Sequence, residues 1–263
     1  MRTSLIISTY NWPEALDLVL KSVLFQSVTV DEIIIADDGS SNSTKLIFEK
    51  YKNIFLNSIN HIWHQDIGFR KTKILNKAFV ASSGDYIIQI DGDIILHEHF
   101  IKDHIKSAEK NKFIHGGRVF LNEKITLERL RNKNINFHFF NRGVNNRINT
   151  IYSPFLSNFF SYKSTTLRKT RGCNFSCWKK DFEKINGYNE DMLGWGLEDS
   201  ELSARLINNG LFKKRLKFTA LTYHLHHENN SKSDVKRNLK ILKNSVANKI
   251  IICNKGINQN KVS

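Results

Sequence analysis

Three short stretches of the 263-residue chain carry side chains whose types and spacing suit chemistry on a charged substrate. In Asp91-Gly92-Asp93, two carboxylates flank a glycine directly after the apolar run Tyr86 to Ile90. Both can converge on one hard divalent cation, Mn2+ or Mg2+, which in such sites usually also holds substrate phosphates. Surface turns are rich in Asp and Gly for other reasons, and the position at the end of an apolar strand is what singles this pair out. In Gly194-Trp195-Gly196-Leu197-Glu198-Asp199, glycines bracket an aromatic and two acids open a helix. Acids at a helix start also serve as simple dipole partners. A Trp offers an apolar platform for a sugar face, and a neighbouring carboxylate can take a hydroxyl proton as general base. In His224-Leu225-His226-His227, residues two apart on a strand share one face, so an imidazole there can complete a coordination sphere begun by Asp91 and Asp93. Arg70, Lys71 and Lys73 open another helix, whose N-terminus would help them neutralise a diphosphate.

The elements that must position these groups follow from the hydrophobic pattern. Thr3 to Ser8 is too continuously apolar for a half-exposed strand and precedes a helical spacing from Pro13 to Phe25. The alternation repeats through strand Glu32 to Ala36, helix Ser43 to Tyr51, strand Asn60 to Trp63, helix Thr72 to Ala81 and strand Tyr86 to Ile90. Such alternation implies an α/β fold with a mostly parallel sheet covered on both faces. Ligands in such sheets collect at the carboxyl ends of the strands, where Thr9-Tyr10-Asn11, Asp37-Asp38 and Asp91-Gly92-Asp93 all fall. Beyond Asn111 the alternation weakens. The stretch Asn122 to Thr170 shows little period and reads as acceptor-facing or mobile, before a helix from Glu198 to Asn208 and a strand near Leu216 to Thr222. From Val235, the residues Val235, Leu239, Leu242, Val246 and Ile250 make one apolar helical face on a basic helix, expected to pack on the parent domain. The expected organisation is a first half over 1–110 that carries the strand-end cleft, a second half over 111–230, and a basic amphipathic helix and tail over 231–263.

Charge divides along the same line. The formal net charge is +15, yet residues 1–100 carry 9 basic and 12 acidic side chains while the rest carry 31 and 13. A uniform nucleic-acid coat does not look like this, so the excess points to an anionic partner of the second half. No apolar run approaches the roughly 20 residues that cross a bilayer, and the start lacks a signal-peptide pattern. Three sparse cysteines, Cys173, Cys177 and Cys253, lack a second pair for a zinc site and read as buried thiols of a reducing cytosol. The expected location is cytoplasmic, with peripheral contact to the inner membrane.

Taken together, these stretches resemble bacterial family 2 glycosyltransferases of the GT-A fold, with a second half similar to the galactosyltransferase type. The resemblance covers most of residues 3–228. It rests on Ile7-Ser8-Thr9-Tyr10-Asn11, Ala36-Asp37-Asp38-Gly39-Ser40, Asp66-Ile67-Gly68-Phe69-Arg70, Asp91-Gly92-Asp93, Arg171-Gly172-Cys173-Asn174, Gly187-Tyr188-Asn189-Glu190 and the Gly194 to Asp199 stretch. It implies a metal-dependent transfer of a hexose or N-acetylhexosamine from a nucleotide-sugar donor, most simply a UDP-sugar, to a glycan or glycolipid acceptor of bacterial surface polysaccharide or lipooligosaccharide, with 1–110 as the nucleotide-sugar-binding half and 111–230 as the acceptor-binding and catalytic half. Thr9, Tyr10, Asp38, Asp66, Arg70, Asp91 and Gly92 are then donor-binding, and Asp91 and Asp93 metal-binding together with His224 or His226. Trp195, Gly194 and Asn174 are acceptor-binding, Asp199 is the base of an inverting transfer, and Glu198 orients. Two departures stand out: Ser8 replaces a common Pro, and Leu75-Asn76 replaces the usual Arg-Asn, which leaves Arg70 as the phosphate contact. Two rival readings stay open on the sequence alone. One is a phosphotransferase or phosphatase with Asp91 as nucleophile; the other is a basic nucleic-acid-binding protein.

Overall fold

A computed structural model describes residues 1–55, 58–228 and 233–260. Residues 231–232 and 261–263 of the expected tail lie outside the described residues. The first half follows the predicted alternation: β1 (Thr3–Thr9), α1 (Pro13–Leu24), β2 (Glu32–Asp37), α2 (Asn42–Lys52), β3 (Ser58–Trp63), α3 (Lys71–Ala81) and β4 (Tyr86–Asp91). The chain continues through β5 (Ile94–Leu96), α4 (Phe100–Ser107), β6 (Lys112–His115), β7 (Val119–Leu121), α5 (Glu123–Asn132), β8 (Val144–Asn145), α6 (Pro154–Phe160) and β9 (Tyr162–Ser164). It ends with β10 (Asn174–Trp178), α7 (Lys179–Lys184), α8 (Glu198–Asn208), β11 (Phe212–Arg215), β12 (Thr222–His224) and α9 (Val235–Ala247).

Eight strands form one sheet in the order β3-β2-β1-β4-β10-β6-β11-β9. β1 to β4 run parallel, while β10 lies antiparallel between β4 and β6. A smaller sheet, β5-β12-β7-β8, stands beside it. Every residue of β1 is buried, as a parallel strand covered on both faces requires. Its alternate side chains serve two cores. Leu5 and Ile7 join Ile33, Ile35, Ile88 and Ile90 under α1, while Ile6 joins Ile34 and Ile87 under α3, α7 and α8. The period of two is the direct consequence of the pleat.

Register brings the functional edge together. Asn174 at the start of β10 lies opposite Ile90 near the end of β4, and Phe175 lies opposite His115 at the end of β6. Arg215 at the end of β11 pairs with His115. The ends of β1, β2, β4, β6 and β11 and the beginning of β10 therefore share one edge of the sheet.

Three expectations change. The strand expected over Leu216 to Thr222 is replaced by β11 before it and β12 at its end. Phe218 and Ala220 between them adopt left-handed backbone, φ 60° and 50°, which a strand ladder cannot accommodate. The aperiodic stretch 122–170 contains α5 and α6, each opened by a side-chain cap: Ile125 N–H donates to Asn122 Oδ1 and Leu156 N–H to Ser153 Oγ. The face of α9 turned inward is polar. Asn238 and Ser245 are its buried residues, while Leu239 and Val246 are exposed. Asn238 Nδ2 donates to the carbonyls of Leu193 and Gly196, and Ser245 Oγ donates to Glu201 Oε1, so hydrogen bonds rather than the apolar stripe dock the helix. α6 is inverted in the same sense: Ser157 is buried against Thr219, whereas Phe155 and Phe159 are each 70% exposed. Among the described residues, no helix is long and apolar enough to cross a membrane.

Candidate active site

The donor side is assembled from the ends of β1, β2 and β4. Gly92 N–H donates to the Ser8 carbonyl at 2.6 Å, and a Cβ on Gly92 would press on Thr9. Asp38 is buried; its Oδ1 meets His64 Nε2 at 2.7 Å and its Oδ2 accepts the Arg70 backbone N–H at 2.9 Å. Burial pushes the Asp38 carboxyl up and the His64 imidazole down, each opposed by the other partner. Tyr10, half exposed, donates its hydroxyl to Asp66 Oδ2 at 2.9 Å, so these two residues form one rim.

Arg70 turns its guanidinium to the Gln65 carbonyl at 2.7 Å. The next residue, Lys71, points inward, and its ammonium lies 2.6 Å from Asp91 Oδ1, which also accepts the Ser8 hydroxyl at 2.7 Å. Burial alone would lower the Lys71 ammonium, but Asp91, Asp199 and Glu198 more than offset this and hold it above the ordinary lysine range. The cation at the centre of the site is thus Lys71, with Arg70 at the edge. Lys71 opens α3 as its first residue, the position from which a side chain reaches the strand ends; its place directly after Gly68-Phe69-Arg70 was the available signal in the sequence.

Asp93 gathers the histidines. Its Oδ2 lies 3.5 Å from His224 Nε2 and 3.3 Å from His227 Nε2. One ligand atom from each of these three residues falls within 4.8 Å of the others. Asp93 Oδ1 is buried without a hydrogen-bond partner. One carboxylate and two imidazoles make a mixed N/O set that fits Mn2+ better than Mg2+. His227 takes the place expected of His226, because β12 ends at His224 and the alternation of a strand no longer applies. Leu225 N–H bonds the Asp93 carbonyl, and His226 N–H donates to Thr126 Oγ1, which leaves the His226 side chain on the far side beside Phe120 and Asn122. Asp91, expected in the same coordination set, is instead held by Lys71 and Ser8.

The two acids of the Trp195 loop lie across from this edge. Leu197, the residue before α8, has φ 73°, and Trp195 is 39% exposed at the tip of the loop. Glu198 is buried, and its Oε2 accepts the Gly196 N–H at 2.9 Å, which fixes the loop. Burial, reinforced by Asp199, pushes its carboxyl up to about 7. Asp199 is partly exposed; Tyr188 OH lies 3.4 Å from its Oδ1, and Gln89 Nε2 in turn donates to Tyr188 OH at 2.9 Å. A Cβ on Gly172 would collide with Asp199 Oδ1, so glycine at 172 is what lets the carboxylate sit against the backbone. Burial raises the Asp199 pKa against the pull of Lys71. Asn174, expected to bind acceptor, is fully engaged inside the protein: its Nδ2 donates to the carbonyls of Gly117 and Ala220, and its Oδ1 meets His104. It anchors the start of β10 and is buried. Gly194 takes φ 66°, and a Cβ there would meet Asp234 just before α9, so the terminal helix braces the loop.

Comparison with known proteins gives the family and the fold. The family model described as Glycosyl transferase family 2 matches residues 4–170, and one described as N-terminal domain of galactosyltransferase matches residues 156–228. The chain is 22% identical over 249 residues to the chondroitin synthase of Escherichia coli, covering 84% of this chain and 34% of that protein. It therefore spans about a third of the length of that relative. Among solved structures, TarS of S. aureus superposes with TM-score 0.64 at 16% identity, over 98% of this chain and 68% of that one. GalNAc-T7 with UDP, GalNAc and Mn2+ gives 0.66 at 13%, over 92% and 48%. At these identities the structures establish the fold, an α/β sheet of the GT-A type.

Proposed function

The chain belongs to glycosyl transferase family 2, and we propose that it is a glycosyltransferase that moves a hexose or N-acetylhexosamine from a UDP-sugar, with inversion, to a glycan acceptor of a bacterial surface polysaccharide or lipooligosaccharide. The observation that carries this reading is Lys71, whose ammonium stands 2.6 Å from Asp91 and interacts with Glu198 and Asp199. A single cation thus joins the strand end where a nucleotide diphosphate would lie to the carboxylates that face an acceptor.

Thr9, Tyr10, Asp38 and Asp66 form the nucleoside cleft at the ends of β1 and β2. Asp93, His224 and His227 would hold a divalent ion, Mn2+ by the chemistry of the donor set. When bound, that ion neutralises charge on the departing diphosphate. Lys71 supplies a second positive charge to the same leaving group. Asp199 takes the proton of the acceptor hydroxyl; the oxygen attacks the anomeric carbon from the face opposite the diphosphate, and the electron pair of the broken bond leaves on the diphosphate oxygen. An α-linked donor then gives a β-linked product. A carboxylate raised by burial is a stronger base than one in water, which suits Asp199 to this step. Glu198 holds the Trp195 loop, and Trp195 offers the ring on which a sugar can rest. The phosphotransferase alternative fares worse, since Asp91 Oδ1 is already committed to Lys71 and Ser8.

Peripheral contact with an anionic membrane on the cytoplasmic side belongs to the same reading. It is supported by the outward apolar faces of α6 and α9, among residues where basic side chains far outnumber acids. Unchanged co-sedimentation of Phe155→Ser/Phe159→Ser with anionic vesicles would remove α6 from that role.

The direct test of the function offers a panel of sugar nucleotides with Mn2+ and lipid-linked glycans, with mass detection of released nucleotide and of product. UDP release that depends on both Mn2+ and an acceptor is expected. Release from no donor in the panel, or full activity in EDTA, would contradict the proposal.

A further inference from the structure

Several inward-facing charges among the described residues are paired. Arg205 is fully buried in a bidentate contact with Glu201, Asp37 meets His61, Asp38 meets His64 and Asp91 meets Lys71. Three arginines, Arg215 buried and Arg118 and Arg171 partly buried, differ from these pairs. Arg118 follows β6, Arg171 precedes β10 and Arg215 ends β11, so the register described above sets all three on the same edge of the sheet as Asp91 and Asp93. Among the described residues, none of the three has a carboxylate within ion-pair distance; the arginines that do are Arg129 and Arg205.

The three are also close to one another. The Arg118 guanidinium lies 4.5 Å and that of Arg171 5.9 Å from the centre of the Phe120 ring. Arg118 Nη1 approaches Cys173 Sγ at 3.6 Å, and its Nε is buried with no hydrogen-bond partner. Arg215 is 8% exposed and donates from Nη1 to the Gly116 carbonyl. Burial lowers the pKa of both Arg171 and Arg215, and the mutual repulsion of the cluster adds to it. Desolvated guanidinium groups held together without a counter-charge are costly, and the arrangement is relieved when an oxyanion accepts their hydrogen bonds.

The position of the cluster distinguishes two sources of such an oxyanion. The nucleoside cleft lies on the β1 and β2 side of β4. Arg215 lies three strands beyond β4 in the other direction, about 14 Å away at the usual strand spacing. The donor diphosphate has Lys71 and the Asp93 cluster near β4 itself. Phe120 adds an apolar ring between two of the cations, a surface suited to the face of a sugar.

We propose that Arg118, Arg171 and Arg215, around Phe120, form a subsite for an anionic sugar of the acceptor, one bearing a carboxylate or a phosphate. The proposal rests on the glycosyltransferase reading only for the word acceptor; the anion site is a property of the arginines themselves.

The test titrates the full chain by ligand-observed NMR with methyl glucuronide, glucose 6-phosphate and the neutral methyl glucoside, and separately titrates UDP with Mn2+ by calorimetry. At least one of the two anionic sugars is expected to bind about tenfold or more tightly than the glucoside, and which one does so separates carboxylate from phosphate. Arg171→Gln should abolish the difference while UDP binding changes less than about twofold. Equal binding of all three sugars to the wild-type chain would overturn the proposal. So would an Arg171→Gln variant that keeps the preference but loses UDP, since the cluster would then be a clamp on the donor diphosphate. Arg118→Gln, and displacement of the anionic sugar by inorganic sulfate from the wild-type chain, carry the same test if Arg171→Gln does not fold. Failure of the wild-type chain to bind UDP with Mn2+ while it still discriminates the anionic sugars would count against the transfer reaction and leave the anion subsite standing.

Discussion

The two sides of β4 treat charge in opposite ways. On the β1 and β2 side, the carboxylates at the functional edge each have a cation or imidazole of their own: Asp37 with His61, Asp38 with His64, Asp91 with Lys71. On the β10, β6 and β11 side, Arg215, which is buried, and Arg118 and Arg171, which are partly buried, have no carboxylate within ion-pair distance among the described residues. A region whose charges are already satisfied can hold its shape before any ligand arrives. A region with unsatisfied charge leaves part of its electrostatics to be completed by what binds there.

The largest effect is expected at Asp199, which stands where the two sides meet. Asp199→Asn should cost roughly two to four orders of magnitude in transfer rate, with donor binding retained, as expected when a general base is removed from an otherwise intact site. Single-turnover kinetics with a saturating donor would check this, and near-normal turnover would remove Asp199 from the role of base. A smaller effect separates the two cations at the start of α3. Lys71→Ala should weaken UDP binding by about tenfold or more, whereas Arg70→Ala, at the rim, should weaken it less. Calorimetry that ranked them in the opposite order would return the phosphate contact to Arg70.

The smallest effect concerns pH. The Glu198 carboxyl is raised from 4.5 in a free chain to about 7 in the fold. Between these values the folded state holds a proton that the unfolded state has lost, so the stabilising contribution of this group is complete below about pH 4.5 and fades as pH rises through 7. Glu198→Gln should therefore flatten the fall in melting temperature over that window, visible as a difference between the two melting curves taken at pH 5 and pH 8. An unchanged pH slope would place the proton elsewhere.

How far the sequence could be read differs between the same two regions. β1, β2 and β4 are continuous apolar runs ending in polar turns, and their helices follow a regular spacing, so the first half was legible to within a few residues. The helix Glu198–Asn208 was as clear, with acids at its start and Gly210 beyond its end. The second half hides its order in capped short helices such as α5 and α6, which have too few turns to show a period. Two helices there are also inverted. A reader of α9 finds the stripe Leu239, Leu242 and Val246 and turns it inward, yet Asn238 and Ser245 are what the fold buries, because Asn238 satisfies carbonyls of the Trp195 loop and Ser245 donates to the Glu201 carboxylate. That exchange of apolar burial for hydrogen bonds is invisible to a hydrophobic pattern. The arginine cluster was equally hidden, since its members lie far apart in sequence and are joined only by strand register.

The histidines show the limit most plainly. Alternation along a strand pairs His224 with His226, but the strand stops at His224 and the chain turns His227 back to Asp93. The claim on which the donor chemistry rests is that Asp93, His224 and His227 together bind the ion, and it is tested by titrating Mn2+ in the presence of UDP into the wild-type chain, His226→Ala and His227→Ala, read by electron paramagnetic resonance of free Mn2+. His226→Ala should match the wild type and His227→Ala should bind the ion about ten- to a hundredfold more weakly. Loss of binding in His226→Ala with retention in His227→Ala would contradict the account.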